Sequence, residues 1–394
     1  MDEKRKSIIF WSYGSICEPY LEKELIKIAD IHKVVTQSQN MERQPHCAID
    51  ELRKDIRKYN PEFVFSINFF CEVSRVCKEM NVKYIGYTVD VPVNTLFNEE
   101  LSNDCNNIFM FDKMQYKKFV HRNPEGIYYL PLGADVYTMK KIIDSASQAV
   151  KNRYKCDVSF VGSLYSEKDN LTKFSPYISE ENRGYIDGIM AVQKNLVGGN
   201  ILSECLTDSL VEELETLCPE LQTDDETKRY TISHYLLGMH LAAIERKEIL
   251  EYIAEDFDVN LYTQSNVSKM KNILFRGSAD SYTEMPIIFS QSKINLNITY
   301  RAIETGIPQR VWDICGCGGF LITNFQEELS DYFNIGNDIE CYYSKEDLLE
   351  KIQFYLEHEE TRKRMAYGAY EKVRKYHTYG NRLHKILGII EGKV

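Results

Sequence analysis

Ile294-Asn295-Leu296-Asn297-Ile298-Thr299, followed by Gly306-Ile307-Pro308-Gln309-Arg310-Val311-Trp312-Asp313-Ile314-Cys315-Gly316-Cys317-Gly318-Gly319-Phe320-Leu321-Ile322-Thr323, reads as a strand-helix-strand unit. It holds a buried strand, a Gly/Pro loop, a short helix carrying one acid, a glycine turn and a second buried strand. An apolar run such as Phe320 to Ile322, set directly behind a helix closed by glycines, is the pattern of a parallel α/β sheet. Ligands of such sheets sit at the strand carboxyl ends. The loop before Gln309 is therefore a candidate ligand site.

Outward from this unit, strand and helix patterns alternate in two blocks. In the first, residues 7–11, 33–35, 63–68, 84–88, 108–111 and 127–130 read as strands, with helices over 19–29 and 49–59 among the segments between them. Residues 132–154 are polar and partly helical, and connect to a second block that opens with Asp157-Val158-Ser159-Phe160-Val161-Gly162-Ser163. That strand ends in Gly162 and Ser163, a turn whose backbone amides could face a phosphate. From about 164 to 245 the strand rhythm stops and helical patterns take over, which predicts an insertion. Strand patterns resume at 259–262 and 273–275, pass through the 294–323 unit to 341–343, and give way to closing helices over 345–358, 360–376 and 381–390. The expected division is 1–150, 151–380 and a terminal helix, 381–394, that returns to the first domain.

A chain of 394 residues is long enough for two domains with separate cores. Its formal charge of −11 argues against a nucleic-acid partner, which calls for a basic face. Eleven cysteines without metal-ligand spacing read as reduced thiols, and Cys315 and Cys317 as packed side chains in the glycine turn. No stretch reads as a leader or a membrane span, so the expected location is the cytoplasm.

The run from Lys293 to Thr323, Tyr343-Ser344-Lys345-Glu346-Asp347-Leu348, and the terminal Tyr376-His377-Thr378-Tyr379 with Arg382 resemble the CgeB-like glycosyltransferases, relatives of the group 1 glycosyltransferases. Tyr87-Thr88-Val89-Asp90-Val91-Pro92, Phe109-Met110-Phe111-Asp112 and Tyr129-Leu130-Pro131-Leu132-Gly133-Ala134-Asp135 resemble the first domain of that family. The resemblance implies an α/β chain of GT-B type: two Rossmann-like domains facing a cleft, here with a helical insertion in the C-terminal domain. It also implies transfer of a sugar from a nucleotide-sugar donor, a UDP type being the first expectation, to a protein or polysaccharide acceptor. No separate cofactor and no metal are expected, and retention of anomeric configuration follows the group 1 analogy. A nucleotide-sugar epimerase or hydrolase of the same fold, and a non-catalytic sugar-binding assembly protein, are the competing readings.

Within that frame Arg310, near a helix start, adds a full charge to the helix terminus and is the first candidate for the donor diphosphate; a surface arginine is the alternative. Asp313 matches the family acid that accepts from the ribose hydroxyls, against the alternative of a helix acid paired with Arg310. The family's other acid would fall at Thr305, and Glu304 stands one step out of register. Gly306, Gln309, Asn297 and Thr299 border the same strand end, with internal hydrogen bonding as the competing role for the last two. Arg276 and Gly277 follow a strand and suit a base or phosphate, and Tyr282 can border the base or simply pack. In the first domain Tyr13 and Gly14 end strand one on the acceptor side. Asp90 is the general-base candidate if the reaction inverts, and otherwise a turn acid. Asp256 and Asp258 read as turn acids, and His234 and His240 as residues that do not share a helix face. Leu206, Leu210, Leu214 and Leu217 form an apolar stripe that must be buried, by packing within the insertion with a homodimer contact as the favoured reading, or as a platform for the acceptor.

Overall fold

The computed structural model describes residues 5–36 and 45–392. Among the described residues twelve strands form two six-stranded sheets. The first contains β1 (Lys6–Ser12), β2 (Ala29–Val35), β3 (Phe63–Ile67), β4 (Lys83–Tyr87), β5 (Asn106–Met110) and β6 (Ile127–Tyr129), in the order β2-β1-β3-β4-β5-β6. The second contains β7 (Cys156–Val161), β8 (Val259–Tyr262), β9 (Leu274–Phe275), β10 (Ser292–Asn297), β11 (Leu321–Asn324) and β12 (Glu340–Tyr342), in the order β12-β11-β10-β7-β8-β9. All pairings are parallel. Strand order reverses between β1 and β3 in one sheet and between β7 and β10 in the other, and those switch points open crevices at the carboxyl ends.

Helices cover the faces, which is why strands such as Phe-Val-Phe-Ser-Ile at β3 are buried throughout. The helices Pro45–Tyr59 and Cys71–Glu79 are each followed closely by an asparagine in the left-handed region, Asn60 at φ 43° and Asn81 at φ 53°. This conformation turns the chain back toward the next strand. The helix Gln309–Gly316 ends on Gly318 at φ 74°, with Gly319 N donating to Ile314 O at 3.0 Å. A Cβ at Gly319 would stand 2.6 Å from Phe289 O and 2.7 Å from Asn295 Nδ2, so this turn admits no side chain. The strand-helix-strand reading of 294–323 is thereby observed.

The chain divides into two compact units, Met1–Gly133 with Tyr376–Val394, and Ala134–Lys375. The boundary falls earlier than the expected 150. The helix Val136–Ser145 buries Val136 and Met139 and packs on the helices Met285–Gln291 and Gln309–Gly316 of the second unit. The terminal helix Tyr379–Ile390 belongs to the first unit. Thr378 and Asn381 cap it reciprocally, Tyr379 stacks on Tyr20 at 6.0 Å, and Arg382 donates to Leu132 O at 2.8 and 2.9 Å.

Among the element limits that differ from the sequence reading, two change how the chain packs. The helix expected over 19–29 is Glu18–Leu25, and Ala29 opens β2, because pairing with Lys6 of β1 claims that residue. The insertion stops short of 245: the helix Gly238–Ile253 is the crossover that returns the chain to β8 and buries Leu250 and Ile253 in the sheet core. The segment before it has a core of its own, in which Leu206, Leu210 and Leu214 are buried with Ile186, Leu237 and Leu241. The leucine stripe is thus covered within the unit.

Candidate functional site

The carboxyl ends of β7 and β10 converge on Arg246, a residue the sequence reading passed over. It is 9% exposed; its Nη1 donates to Ser163 O just beyond β7, and Nη2 donates to Ile298 O just beyond β10 at 2.6 Å. The guanidinium also lies 4.5 Å from the ring centre of Tyr165. These partners are neutral, and among the described residues no carboxylate pairs with it. Burial pushes its pKa below the usual range and the like charge of Arg310 adds to that push, while Tyr165, Tyr342 and the Glu245 carboxylate, itself paired with Arg301, offset only part of it. A buried, unneutralised cation at a switch point is costly unless an anion arrives. A signal was present in the sequence: Glu245 and Arg246 follow Leu241 and Ala242 by four residues, on the buried face of the helix.

Gln309, Arg310 and Asp313 sit together at the start of the next helix. Arg310 Nη1 is 3.6 Å from Asp313 Oδ2, and Gln309 Nε2 donates to Asp313 Oδ1 at 2.8 Å. Arg310 also packs 5.2 Å from the ring centre of Phe289, with Nη1 2.9 Å from Met285 Sδ. Burial lowers the Arg310 pKa and raises that of Asp313, the opposite charge and the Gln309 bond offsetting part of the latter. Arg310 and Asp313 therefore form an ion pair in this structure.

The loop between β10 and that helix is gripped by the insertion and its return helix. Glu245 pairs with Arg301 at 2.8 Å, Arg301 Nη1 donates to Leu196 O at 3.0 Å, and Tyr300 donates its hydroxyl to His234 O. His234 lies in a π-helical turn, Ile232–Leu237, and its Nε2 is 3.3 Å from Glu304 Oε1. Such turns recur at functional sites. Glu304 thus points to the insertion, while Thr305, its neighbour, donates to Glu328 Oε1 at 2.8 Å.

The remaining expected residues divide in two. Asn297 donates to Thr299 Oγ1 and Thr323 Oγ1, both at 2.9 Å, and Thr299 N donates to Asn324 Oδ1 at 2.7 Å, so this pair knits β10 to β11. Gly306 O accepts from Gln326 Nε2 at 3.2 Å, which pins the loop. Ser163 Oγ donates to Glu167 Oε1 at 2.6 Å and accepts from Tyr165 N at 2.8 Å, forming a local turn. A Cβ at Gly162 would meet only ordinary contacts, the nearest at 3.6 Å, so packing does not demand glycine there. Arg276 donates through Nε to Asn260 Oδ1 at 2.6 Å, Gly277 takes φ 84°, and Tyr282 lies in a turn capped by Asp280. These three follow the edge strand β9, which stands two places from β7 in the sheet order.

In the first unit the carboxyl ends of β1, β3 and β4 bring together Tyr13, Asn68 and Asp90. Asn68 Nδ2 donates to Tyr13 Oη at 2.8 Å and to Asp90 Oδ2 at 2.7 Å, while its Oδ1 accepts from Val89 N at 3.0 Å. Asn68, at φ 61°, was not foreseen. Burial, and then the nearby Asp90, raise the Tyr13 pKa above its usual value. Gly14 takes φ 91° in open space, but the amides of Tyr13, Gly14 and Ser15 all donate to Glu18 Oε1, at 2.8, 3.0 and 3.2 Å. The backbone approach expected at Gly14 is thus occupied by a carboxylate that is only 3% exposed. Asp90 itself is exposed and held in place.

His240 pairs with Asp169 at 3.0 Å, a contact distinct from that of His234, and Asp256 and Asp258 lie in the turn before β8. Among the described residues no three His, Cys, Asp or Glu side chains gather to hold an ion, and no helix is long and apolar enough to cross a membrane. Cys315 and Cys317 are buried free thiols.

A family model described as glycosyl transferase-like matches residues 246–388, beginning at Arg246 and spanning Arg310 and Asp313. A search of curated proteins returns no match. Among solved structures, a glycosyltransferase from Rickettsia africae is similar at a TM-score of 0.58 with 9% identity, covering 99% of each chain. HepE of Anabaena in complex with UDP-glucose is similar at 0.55 with 9% identity, over 98% of this chain and 99% of that one. Sucrose-phosphate synthase of Thermosynechococcus elongatus is similar at 0.51 with 10% identity, over 99% and 100%. These likenesses establish the fold: two Rossmann-like α/β units of GT-B type.

Proposed function

We propose that this chain is a glycosyltransferase of the CgeB-like kind, moving a sugar from a nucleotide-sugar donor of UDP type to a protein or polysaccharide acceptor. Arg246 carries the reading. Its charge lies buried at the switch point of the second sheet, unneutralised and close enough to Arg310 to feel a like charge. A diphosphate supplies the missing anion, and stabilising a departing diphosphate is the main electrostatic task of sugar transfer. The family model supports the same class of reaction, and the solved HepE complex holds UDP-glucose on this fold.

In this reading Arg246 and Arg310 bind the diphosphate, and Asp313, already fixed by Gln309 and Arg310, accepts from the ribose hydroxyls. Arg276, Gly277 and Tyr282 border the base, Gly162 and Ser163 border the phosphates, and Tyr13 belongs to the acceptor side. The transfer is metal-independent, and the leaving phosphate takes the acceptor proton with retention of configuration. A second reading is an inverting reaction with Asp90 as general base, and the support for it is that Asp90 is an exposed carboxylate held by Asn68.

Calorimetric titration with UDP tests the donor site. The wild-type chain binds UDP, and Arg246→Gln binds it at least tenfold more weakly. A folded wild-type chain that takes up no nucleoside diphosphate at millimolar concentration would remove the proposal. Proton NMR of the first-formed product distinguishes retention from inversion, and activity lost to chelator and restored by manganese would sink the metal-independent route.

A further inference from the structure

The amino-terminal edge of the second sheet holds a cavity of about 750 Å³, within the range of small-molecule sites. Cys156 and Ser292, the first residues of β7 and β10, line it, so it lies at the opposite end of the strands from Arg246. For a six-residue strand that separation is roughly 20 Å. The helix Glu359–Tyr376 forms the facing wall.

Its charges do not balance. Each lining carboxylate is paired with a lining lysine: Asp157 with Lys293 at 2.7 Å, Asp144 with Lys140 at 3.1 Å, and Glu359 with Lys363 at 2.6 Å. That leaves Arg362 and Lys155 as lining cations with no carboxylate at ion-pair distance among the described residues, a net excess of two positive charges on the lining. Arg362 is only 6% exposed, and beyond the bond from Nη1 to Tyr355 O its guanidinium meets no hydrogen-bond acceptor among the described residues. Burial lowers its pKa, and the nearby carboxylates of Glu359 and Asp157, each already paired with a lysine, offset only part of that. Phe320, Ala366 and Ile143 supply an apolar wall, and Tyr367, 66% exposed, stands with them.

We propose that this cavity is an anion site for a small organic phosphate ester, its phosphate held by Arg362 and Lys155 and its body laid against Phe320 and Tyr367. Two unmatched cations call for a dianion. A guanidinium fork fits phosphate oxygens, and the aromatic wall favours an ester over the bare ion. In a chain of net charge −11 such a local excess is not a by-product of composition.

Phenyl phosphate is the probe, titrated into the full chain by calorimetry and thermal shift, with UDP titrated separately. The expected result is binding of phenyl phosphate that UDP does not displace, that inorganic phosphate matches at least tenfold more weakly, and that Lys155→Glu weakens at least tenfold while leaving UDP binding unchanged. Lys155 is exposed, so this variant keeps the fold; Arg362→Gln is the companion variant, expected to lose the same binding. Four outcomes overturn the proposal: no binding at millimolar phenyl phosphate, displacement by UDP, inorganic phosphate binding as tightly as the ester, or unchanged affinity in Lys155→Glu.

Discussion

His234 Nε2 lies 3.3 Å from Glu304 Oε1, so a residue of the helical insertion holds an acid of the loop that leads into Gln309, Arg310 and Asp313. The insertion is in this way part of the architecture of the site. A double-mutant cycle of His234→Ala and Glu304→Gln, followed by denaturant unfolding, should give a coupling energy of about 0.5–3 kcal/mol. Losses that simply add would show that the two side chains do not act together.

Arg246→Met removes a buried charge and two bonds to carbonyls, and only the ligand-bound state needs the charge. Nucleotide binding should weaken by about 1.5–3 kcal/mol, the range for hydrogen bonds to charged groups. Stability without ligand should fall by less, because desolvation of the charge offsets the lost bonds. Equal losses of stability and UDP affinity, measured by thermal unfolding with and without UDP, would make Arg246 a structural residue only.

Asn68 has two tasks that substitution can separate. Asn68→Gly keeps the backbone at φ 61° and loses the bonds to Tyr13 and Asp90, whereas Asn68→Ala also strains the backbone. The alanine variant should be about 1–2 kcal/mol less stable than the glycine variant, the cost of an ordinary side chain in the left-handed region. Matching unfolding midpoints for the two would refute a conformational role.

Asp169 accepts from His240, from Thr172 Oγ1 at 2.5 Å and from Thr172 N at 3.1 Å. Burial opposes its ionisation, but these bonds outweigh burial and hold its pKa below the usual 3.8. A lowered folded value means the stabilisation is present above pH 3.8 and is lost as pH falls through the folded pKa. Asp169→Asn should therefore cost about 1 kcal/mol at pH 7, the difference between hydrogen bonds to a charged and to a neutral acceptor, and less near pH 3. A pH-independent difference in unfolding free energy would show that the carboxylate charge is not what stabilises the site.

The elements around 294–323 were legible because their causes are local. Glycine at 318 and 319, an apolar strand on either side and a helix of about two turns leave few other conformations for that stretch. The insertion was legible as a loss of strand rhythm, and its leucine stripe as a face that needed cover. The end of the helix at Leu25 was not, since only pairing with β1 makes Ala29 a strand residue.

The site was legible in its helix and not in its charge. Gln309, Arg310 and Asp313 share one helix at spacings readable from the chain, and the structure brings them together. Arg246 depends on carbonyls 83 and 52 residues away, and Asn68 on Tyr13 55 residues away and Asp90 22 residues away. The sequence by itself determined the periodicity, the turns and thus the two α/β units. Only the tertiary structure decided which charges are neutralised, because burial and pairing are set by neighbours that the sheets bring together from distant parts of the chain.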